Sequence, residues 1–356
     1  MKGRSNAIRS REDGESYVDY YLDFQLHEGS TEDGYYTAWG HLEDFVEREG
    51  LTVEEVGLKE AIEFCEYLKA RDIGEVTAEM YVLKLSNLVT WLIEKGEADH
   101  NPYASALSKE PFEYDKESTR RRVPIDELKK GIQDTGHPFT LTFVVLLLKT
   151  GIRIAEATNL DYRDVHLDHP IAETMDEPRE EIAEKPDSIY IDSSISAGQI
   201  HNGEERMDGN KPNSYRAIPI DEELKRVLVW YIALTPPSPS DANPLLRQTN
   251  GFIGKRYSTE VARNKFNEWS ADNDWHAGGR KSTNISPHWC RHWFSTTLRQ
   301  RISSEEVLIG EVKDYVGALR GDTDSRTVDT YTHDWSEKEW IREAYVNNVP
   351  KLLTNA

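Results

Sequence analysis

The stretch "SPHWCRHWFSTTLRQR", residues 286–301, decides how this chain is interpreted. It places His288, Cys290, Arg291 and His292 at the start of a predicted helix. Such a cluster can ligate a metal ion, activate a nucleophile or bind an anion. The spacing decides among the three, because it determines which side chains share one face of the helix.

The spacing favours the binding of an anion over the other two roles. His288 and His292 share a face, as in zinc proteases, but Trp289 stands where those enzymes carry their glutamate. Cys290 lies on the other side of the helix, so we expect neither a metal site nor a Cys–His nucleophile, and the thiol is predicted to pack inward. His288 and Arg291 are neighbours on one face. A hydrogen-bond donor beside a planar cation suits a phosphate group.

Composition sets broader limits. The chain has 356 residues, enough for two domains, and no apolar run long enough to cross a membrane. Two cysteines and a polar N-terminus favour a reducing cytoplasm. The net charge of −21 argues against nucleic acid, unless the protein works in a very salty cytoplasm and its basic residues are concentrated in one place. Composition leaves both interpretations open.

Periodicity predicts a mainly α protein with a small antiparallel β-sheet. Its strands are predicted at "SIYID" (188–192) and "YRAIPID" (215–221). The predicted segments are a flexible tail over 1–15, an all-α domain over 16–107, a basic linker over 108–124 and an α+β domain over 125–356. In the linker, Arg120, Arg121 and Arg122 are either a solvated run or cations that brace a polyanion between the domains.

Three motifs in order carry a family resemblance. "TGIR" (150–153), "PHWCRH" (287–292) and "DTYTH" (329–333) resemble the Arg, His-x-x-Arg and Tyr boxes of the tyrosine recombinases, the phage-integrase family. A buried helix precedes the first box, and Arg153 opens the next helix, where backbone N–H groups also favour an anion. The resemblance extends over roughly residues 16–335.

The resemblance implies fold and function together. The helical domain is then a core-binding (SAM-like) DNA-binding domain, and the second domain is catalytic. The implied activity is site-specific DNA recombination or integration through a 3′-phosphotyrosyl intermediate, without metal or cofactor. The implied partners are double-stranded DNA with a specific site and a homotetramer formed on it, in the cytoplasm at the nucleoid. The acidic composition suggests a halophilic archaeon, or its virus or plasmid, as the source.

Residue roles follow from the same resemblance. Tyr331 is the implied nucleophile, and Arg153 and Arg291 are the implied clamp on the phosphate oxygens. His288 donates to the phosphate or takes the tyrosine proton. Lys211 lies eight residues before the proline of "YRAIP" and is the implied general acid, although an exposed turn lysine would look the same.

Other positions stay open at this stage. Arg216 occupies the family's arginine place in the strand and, with Arg120 to Arg122, is predicted to contact DNA. Asp322 stands where the family carries a second His or Trp, and a carboxylate cannot donate a proton unless it is protonated. This departure motivates one alternative, a catalytically impaired DNA-binding regulator. A type IB topoisomerase-like enzyme is a further alternative, because it shares the same chemistry. Glu156 and His292 either orient a site cation or lie on the surface.

Two further tyrosines and the chain end complete the prediction. Tyr315 lies on an apolar helix face and is predicted to be core, and no motif surrounds Tyr345. The segment "EKEWIREAYVNNVPKLLTNA" (337–356) either docks on a neighbouring protomer or packs on its own domain.

Overall fold

The computed structural model divides the chain into two compact units. Unit 1 is Met1–Ser118 and unit 2 is Thr119–Ala356. Each unit has its own apolar core. The structure describes residues 16–24, 30–71, 73–113, 121–279, 283–302, 309–321 and 339–353.

Unit 1 is built from amphipathic helices. The third helix buries Phe64, Cys65 and Leu68, which recur at the spacing of one helix face. The last helix begins with Asn101, whose side chain accepts a hydrogen bond from the Ala104 N–H and so caps the helix. The helices are α1 (Tyr17–Phe24), α2 (Ser30–Glu49), α3 (Leu58–Lys69), α4 (Glu75–Glu94) and α5 (Pro102–Leu107).

Unit 2 is organised around one buried helix. This helix, α7, is buried on nearly every side and packs against five other helices of the unit, as a continuous apolar run requires. The helices are α6 (Ile125–Gln133), α7 (Pro138–Thr150), α8 (Ile154–Asn159), α9 (Glu180–Ala183), α10 (Glu222–Leu234), α11 (Thr259–Asp272), α12 (Pro287–Ile302), α13 (Ile309–Arg320) and α14 (Glu339–Asn348).

A small antiparallel sheet covers part of this core. Its strands lie in the order β1 (Val165–His166), β2 (Ser188–Ile191) and β5 (Arg216–Pro219), and Ile191 pairs with Arg216. Between β2 and β5 a second hairpin forms from β3 (Ile200–His201) and β4 (Glu204–Glu205). The predicted fold class and the two main strands are confirmed, whereas β1 and the β3–β4 hairpin were not predicted.

The chain end packs on unit 2 itself. Tyr345 and Val349 of α14 and the following Leu352 are buried in the core of this unit. Of the two placements left open by the sequence, the described residues therefore show packing within the chain. Within the described ranges, no helix is both long and apolar enough to cross a membrane.

Candidate active site

The turn after α7 brings the first two predicted site residues together. Gly151 ends α7 in the left-handed conformation, with φ of +63°. Arg291 of α12 is buried, and its Nη1 donates to the Gly151 carbonyl oxygen at 2.7 Å. A Cβ at Gly151 would lie 2.4 Å from Cδ1 of Phe294, so α12 packs directly on this turn. Arg291 is thus fixed by the same turn that leads into Arg153.

Arg153 is oriented by the first turn of its own helix. It is the N-cap of α8, and its backbone N–H donates to Oε2 of Glu156 at 2.7 Å. Its Nη1 donates to Oε1 of the same carboxylate at 2.7 Å. The Arg153 side chain is 26% exposed, whereas that of Glu156 is fully buried. The guanidinium is therefore held from the protein side and stays accessible from outside.

Glu156 binds a second arginine from the sheet. Nη2 of Arg216 donates to its Oε2 at 2.8 Å, and both side chains are fully buried. Burial by itself raises the pKa of the Glu156 carboxyl. The Arg216 guanidinium and, to a smaller extent, Arg153 outweigh this effect and lower the pKa from 4.5 to about 2. Glu156 is therefore ionised near neutral pH. The sequence left its role open, and the contacts show that it orients two cations.

The predicted DNA contact by Arg216 is wrong. Its Nε donates to the Leu319 carbonyl at 2.7 Å and its Nη1 to the Ser214 carbonyl at 2.6 Å, in addition to the Glu156 pair. The side chain has no exposed surface. The reason is its place in β5, where all residues of the strand are buried and the side chain points into the unit rather than into solvent.

Lys211 lies at an exposed turn that is fixed on both sides. Before it, Asn210 is buried, accepts from the Asn159 amide at 3.1 Å and donates to the Asp192 carbonyl at 2.7 Å. After it, the Ser214 hydroxyl donates to the carbonyl of Lys211 itself. The ammonium is thus carried on a loop with anchored ends, and Ser214 connects this loop to Arg216.

The two histidines of α12 form a pair. Nε2 of His288, which is exposed, lies 2.8 Å from Nε2 of the half-buried His292. At this distance one ring donates and the other accepts, so the pair shares a proton. Cys290 is buried as predicted, and burial raises the pKa of its thiol. Within the described part of the chain, no three His, Cys, Asp or Glu side chains are placed to hold a metal ion.

The basic linker residues have different surroundings. Nε1 of Trp289 donates to the Arg121 carbonyl at 2.8 Å, and Nη1 of Arg121 donates to the Asp274 carbonyl at 2.7 Å. Arg121 thus anchors the start of unit 2 beside α12. Arg122 is exposed. Arg120 lies outside the described residues.

The predicted nucleophile and its neighbour, Tyr331 and Asp322, also lie outside the described residues. The described chain reaches Gly321 before them, and Gly321 lies against Arg216. The rival tyrosines are both buried, and burial raises the pKa of each hydroxyl. Tyr345 donates its hydroxyl to the Lys149 carbonyl at 2.7 Å. The prediction that Tyr315 belongs to the core is confirmed.

Together, the described groups can bind and polarise a phosphodiester. Arg291 binds the turn that leads into Arg153, and the Arg153 side chain remains partly exposed. A histidine pair and an exposed lysine add proton donors. Sequence reasoning missed the buried pair that supports them. A signal was present, because an arginine inside the apolar strand "YRAIP" requires a buried acid as its partner.

Comparison with solved structures gives the fold of the tyrosine recombinases, as the sequence resemblance implied. The integrase of transposon Tn1549, solved in complex with transposon right end DNA, is similar with a TM-score of 0.63 and 20% identity over 92% of this chain and 97% of that one. A lambda integrase dimer bound to a COC′ core site is similar with a TM-score of 0.55 and 14% identity, over 87% of this chain and 94% of that one.

A lambda integrase tetramer bound to a Holliday junction is also similar, with a TM-score of 0.54 and 13% identity over 87% of this chain and 77% of that one. No protein-family model matches the sequence, and neither does any curated protein. The likeness is therefore one of fold.

Proposed function

We propose that this protein is a site-specific DNA recombinase that cleaves and rejoins DNA strands through a 3′-phosphotyrosyl intermediate. The observation that carries the proposal is the arrangement of Arg153 and Arg291 around the Gly151 turn. Arg291, far away in the sequence, is bound to the turn that leads into Arg153, and a buried carboxylate orients the partly exposed Arg153 guanidinium. This arrangement suits a group whose negative charge increases during the reaction.

In the proposed mechanism the hydroxyl oxygen of Tyr331 attacks the scissile phosphorus and the bond to the 5′ oxygen breaks. Arg153 and Arg291 stabilise the charge on the non-bridging oxygens, and His288 donates to the phosphate or accepts the tyrosine proton. Lys211 gives a proton to the departing 5′ oxygen. Attack by a 5′ hydroxyl on the phosphotyrosine reverses the step, so bond energy is kept and the strand is rejoined.

The proposed partner is double-stranded DNA with a specific site, on which four protomers assemble. The support is the fold shared with integrases solved on DNA, including a tetramer on a Holliday junction. In this proposal residues 16–107 form a DNA-binding domain and residues 125–356 the catalytic domain. Arg122, exposed beside the anchored Arg121, is a proposed phosphate contact, and Arg120 is a second one. A DNA-associated location in the cytoplasm follows from this function.

The test is covalent capture. The protein is incubated with nicked suicide DNA duplexes that carry its recombination site, which is first identified by sequencing the DNA trapped from a genomic library. We expect a denaturation-resistant adduct with the wild-type protein, joined through Tyr331 by peptide mapping, and none with Tyr331→Phe. Tyr345→Phe is the matched control, because this buried hydroxyl should not contribute to the adduct.

Asp322 favours one alternative, a DNA-binding regulator that keeps the fold without cleaving strands. In that case the wild-type protein would bind DNA but give no adduct, or would give the same amount as Tyr331→Phe. Relaxation of supercoiled plasmid without site preference would instead indicate a topoisomerase-like enzyme.

A further inference from the structure

Arg216 contacts three separate parts of the candidate site. Its guanidinium binds Glu156 of α8, the carbonyl of Ser214 in the turn that carries Lys211, and the carbonyl of Leu319 in the last turn of α13. These contacts are 2.6–2.8 Å long. In the described structure one buried side chain therefore connects the helix that begins after Arg153, the turn that carries Lys211 and the end of α13, which precedes Tyr331 in the sequence.

The third contact concerns the segment that leads to the nucleophile. Gly321 follows α13 in the left-handed conformation, with φ of +66°. A Cβ built at Gly321 would lie only 2.6 Å from Nη1 of Arg216. The chain therefore leaves α13 in direct contact with the guanidinium, and Asp322 and Tyr331 follow in the sequence. Only a glycine allows this approach without displacement.

We propose that Arg216 is a positioning residue that sets the mutual placement of these three segments, so that Arg153, Lys211 and the chain leading to Tyr331 are aligned together. Its planar fork can satisfy three acceptors in different directions at once, which a lysine ammonium cannot do with the same geometry. The acceptors from Ser214 and Leu319 are backbone carbonyls, so Arg216 fixes the path of the main chain there. The catalytic part of this inference rests on the proposed recombinase function.

The alignment is tested with Arg216→Lys, which keeps the charge that neutralises Glu156 but loses the fork. In hydrogen exchange, we expect the segments 211–215 and 317–321 to exchange faster together, by about tenfold, as expected for the loss of one or two hydrogen bonds. In single-turnover cleavage at saturating DNA, we expect a rate about 100-fold lower, with the Kd for DNA changed less than twofold. Misalignment affects the chemical step rather than phosphate binding.

Arg247→Lys is the matched control. Arg247 is also a buried arginine whose guanidinium donates to backbone carbonyls, those of Pro244 and Pro236, but it contacts none of the three site segments. We expect a similar loss of thermal stability with an unchanged cleavage rate. Equal cleavage rates in the two variants, or unchanged exchange at either site segment in Arg216→Lys, would overturn the proposal.

Gly321→Ala is the second variant, for the case that Arg216→Lys does not fold. Its added methyl group pushes against Nη1 of Arg216 without removing any charge. We expect faster exchange at 317–321 and a cleavage rate about tenfold lower. Wild-type exchange and rate in a folded Gly321→Ala would contradict the proposal. If the wild-type protein itself forms no adduct, the recombinase function fails, while exchange still decides whether Arg216 holds the segments together.

Discussion

Two buried ion clusters lie close together at the end of α7, and they serve different ends. The site cluster consists of Arg153, Glu156 and Arg216. The C-terminal cluster consists of Lys149, Asp221, Glu223 and Lys351. In both, buried carboxylates are paired with cations, which is the usual condition for burying charge.

The difference lies in what each carboxylate holds. Glu223 accepts from the backbone N–H groups of Leu352 and Leu353, so the C-terminal cluster attaches the chain end to α10. Glu156 instead orients Arg153, which stays partly accessible. The comparison teaches that a buried ion pair alone does not indicate a functional site. A functional cluster orients an accessible group toward a ligand, whereas a structural one binds the chain itself.

The largest expected effect is a difference in DNA cleavage rate between variants of the accessible cations of the two clusters, Arg153 and Lys351. Arg153→Ala should lower single-turnover DNA cleavage about 10²–10³-fold, because it removes a preorganised donor to the phosphate oxygens. Lys351→Ala removes the exposed cation of the C-terminal cluster and should leave the rate unchanged. Adduct formation over time on a suicide substrate measures both. Equal rates in the two variants would remove the distinction.

The next effect concerns stability. Glu156→Gln and Glu223→Gln each leave a buried cation short of a partner, and each should lower the free energy of unfolding by about 3 kcal/mol, measured by urea denaturation. Only Glu156→Gln should also slow cleavage, by about tenfold, because only its partner Arg153 has a proposed contact with the phosphate. If Glu156→Gln cleaves DNA slowly but is as stable as the wild-type protein, Glu156 orients Arg153 without contributing to the free energy of unfolding.

The pH dependence of stability sharpens the comparison within unit 2. The pKa of Glu156 falls from 4.5 to about 2 on folding, so its contribution is present above pH 4.5 and is lost as the pH falls toward 2. A shift of this size corresponds to about 3 kcal/mol. Glu156→Gln should therefore flatten the acid side of the profile when the free energy of unfolding is measured between pH 5 and pH 3.

Asp164 should act in the opposite direction and serves as the control for that profile. Burial raises its pKa from 3.8 to about 6, despite the nearby Arg179 guanidinium. Its contribution is therefore present below about pH 4 and is lost as the pH rises through 6. Asp164→Asn should flatten the profile between pH 4 and pH 6 and leave the more acidic range unchanged.

The smallest effect belongs to the chain end. Tyr345→Phe removes the hydrogen bond to the Lys149 carbonyl and should cost about 1 kcal/mol of unfolding free energy. Thermal denaturation measures the loss. The adduct yield should stay at the wild-type level, and a drop in yield without a drop in melting temperature would assign Tyr345 a direct part in catalysis.

Local sequence signals predicted much of the fold and part of the site. The glycine that ends α7, the helix that begins near His288 and the two main strands were predicted because each depends on neighbours within a few residues. The inward position of Cys290 and Tyr315 followed from helix periodicity for the same reason. These features depend on short-range geometry, which a single sequence displays directly.

The long-range contacts could not be predicted in this way. Arg216 contacts Glu156, 60 positions away, and Leu319, 103 positions away. The local strand pattern predicted an arginine in β5 but not the direction of its side chain. The C-terminal segment raised the same difficulty, because an apolar helix fits its own core as well as that of a neighbour. Such choices depend on which surfaces the complete fold brings together.

The attachment of Arg291 has a consequence for how this protein can change over evolutionary time. Its acceptor is the main-chain oxygen of Gly151, which is present whatever side chain the position carries. Position 151 is instead restricted by space, since the Cβ of even an alanine there would collide with Phe294. We therefore expect a mutational library at position 151 to retain glycine alone, while many surrounding surface positions drift without losing the arginine's orientation.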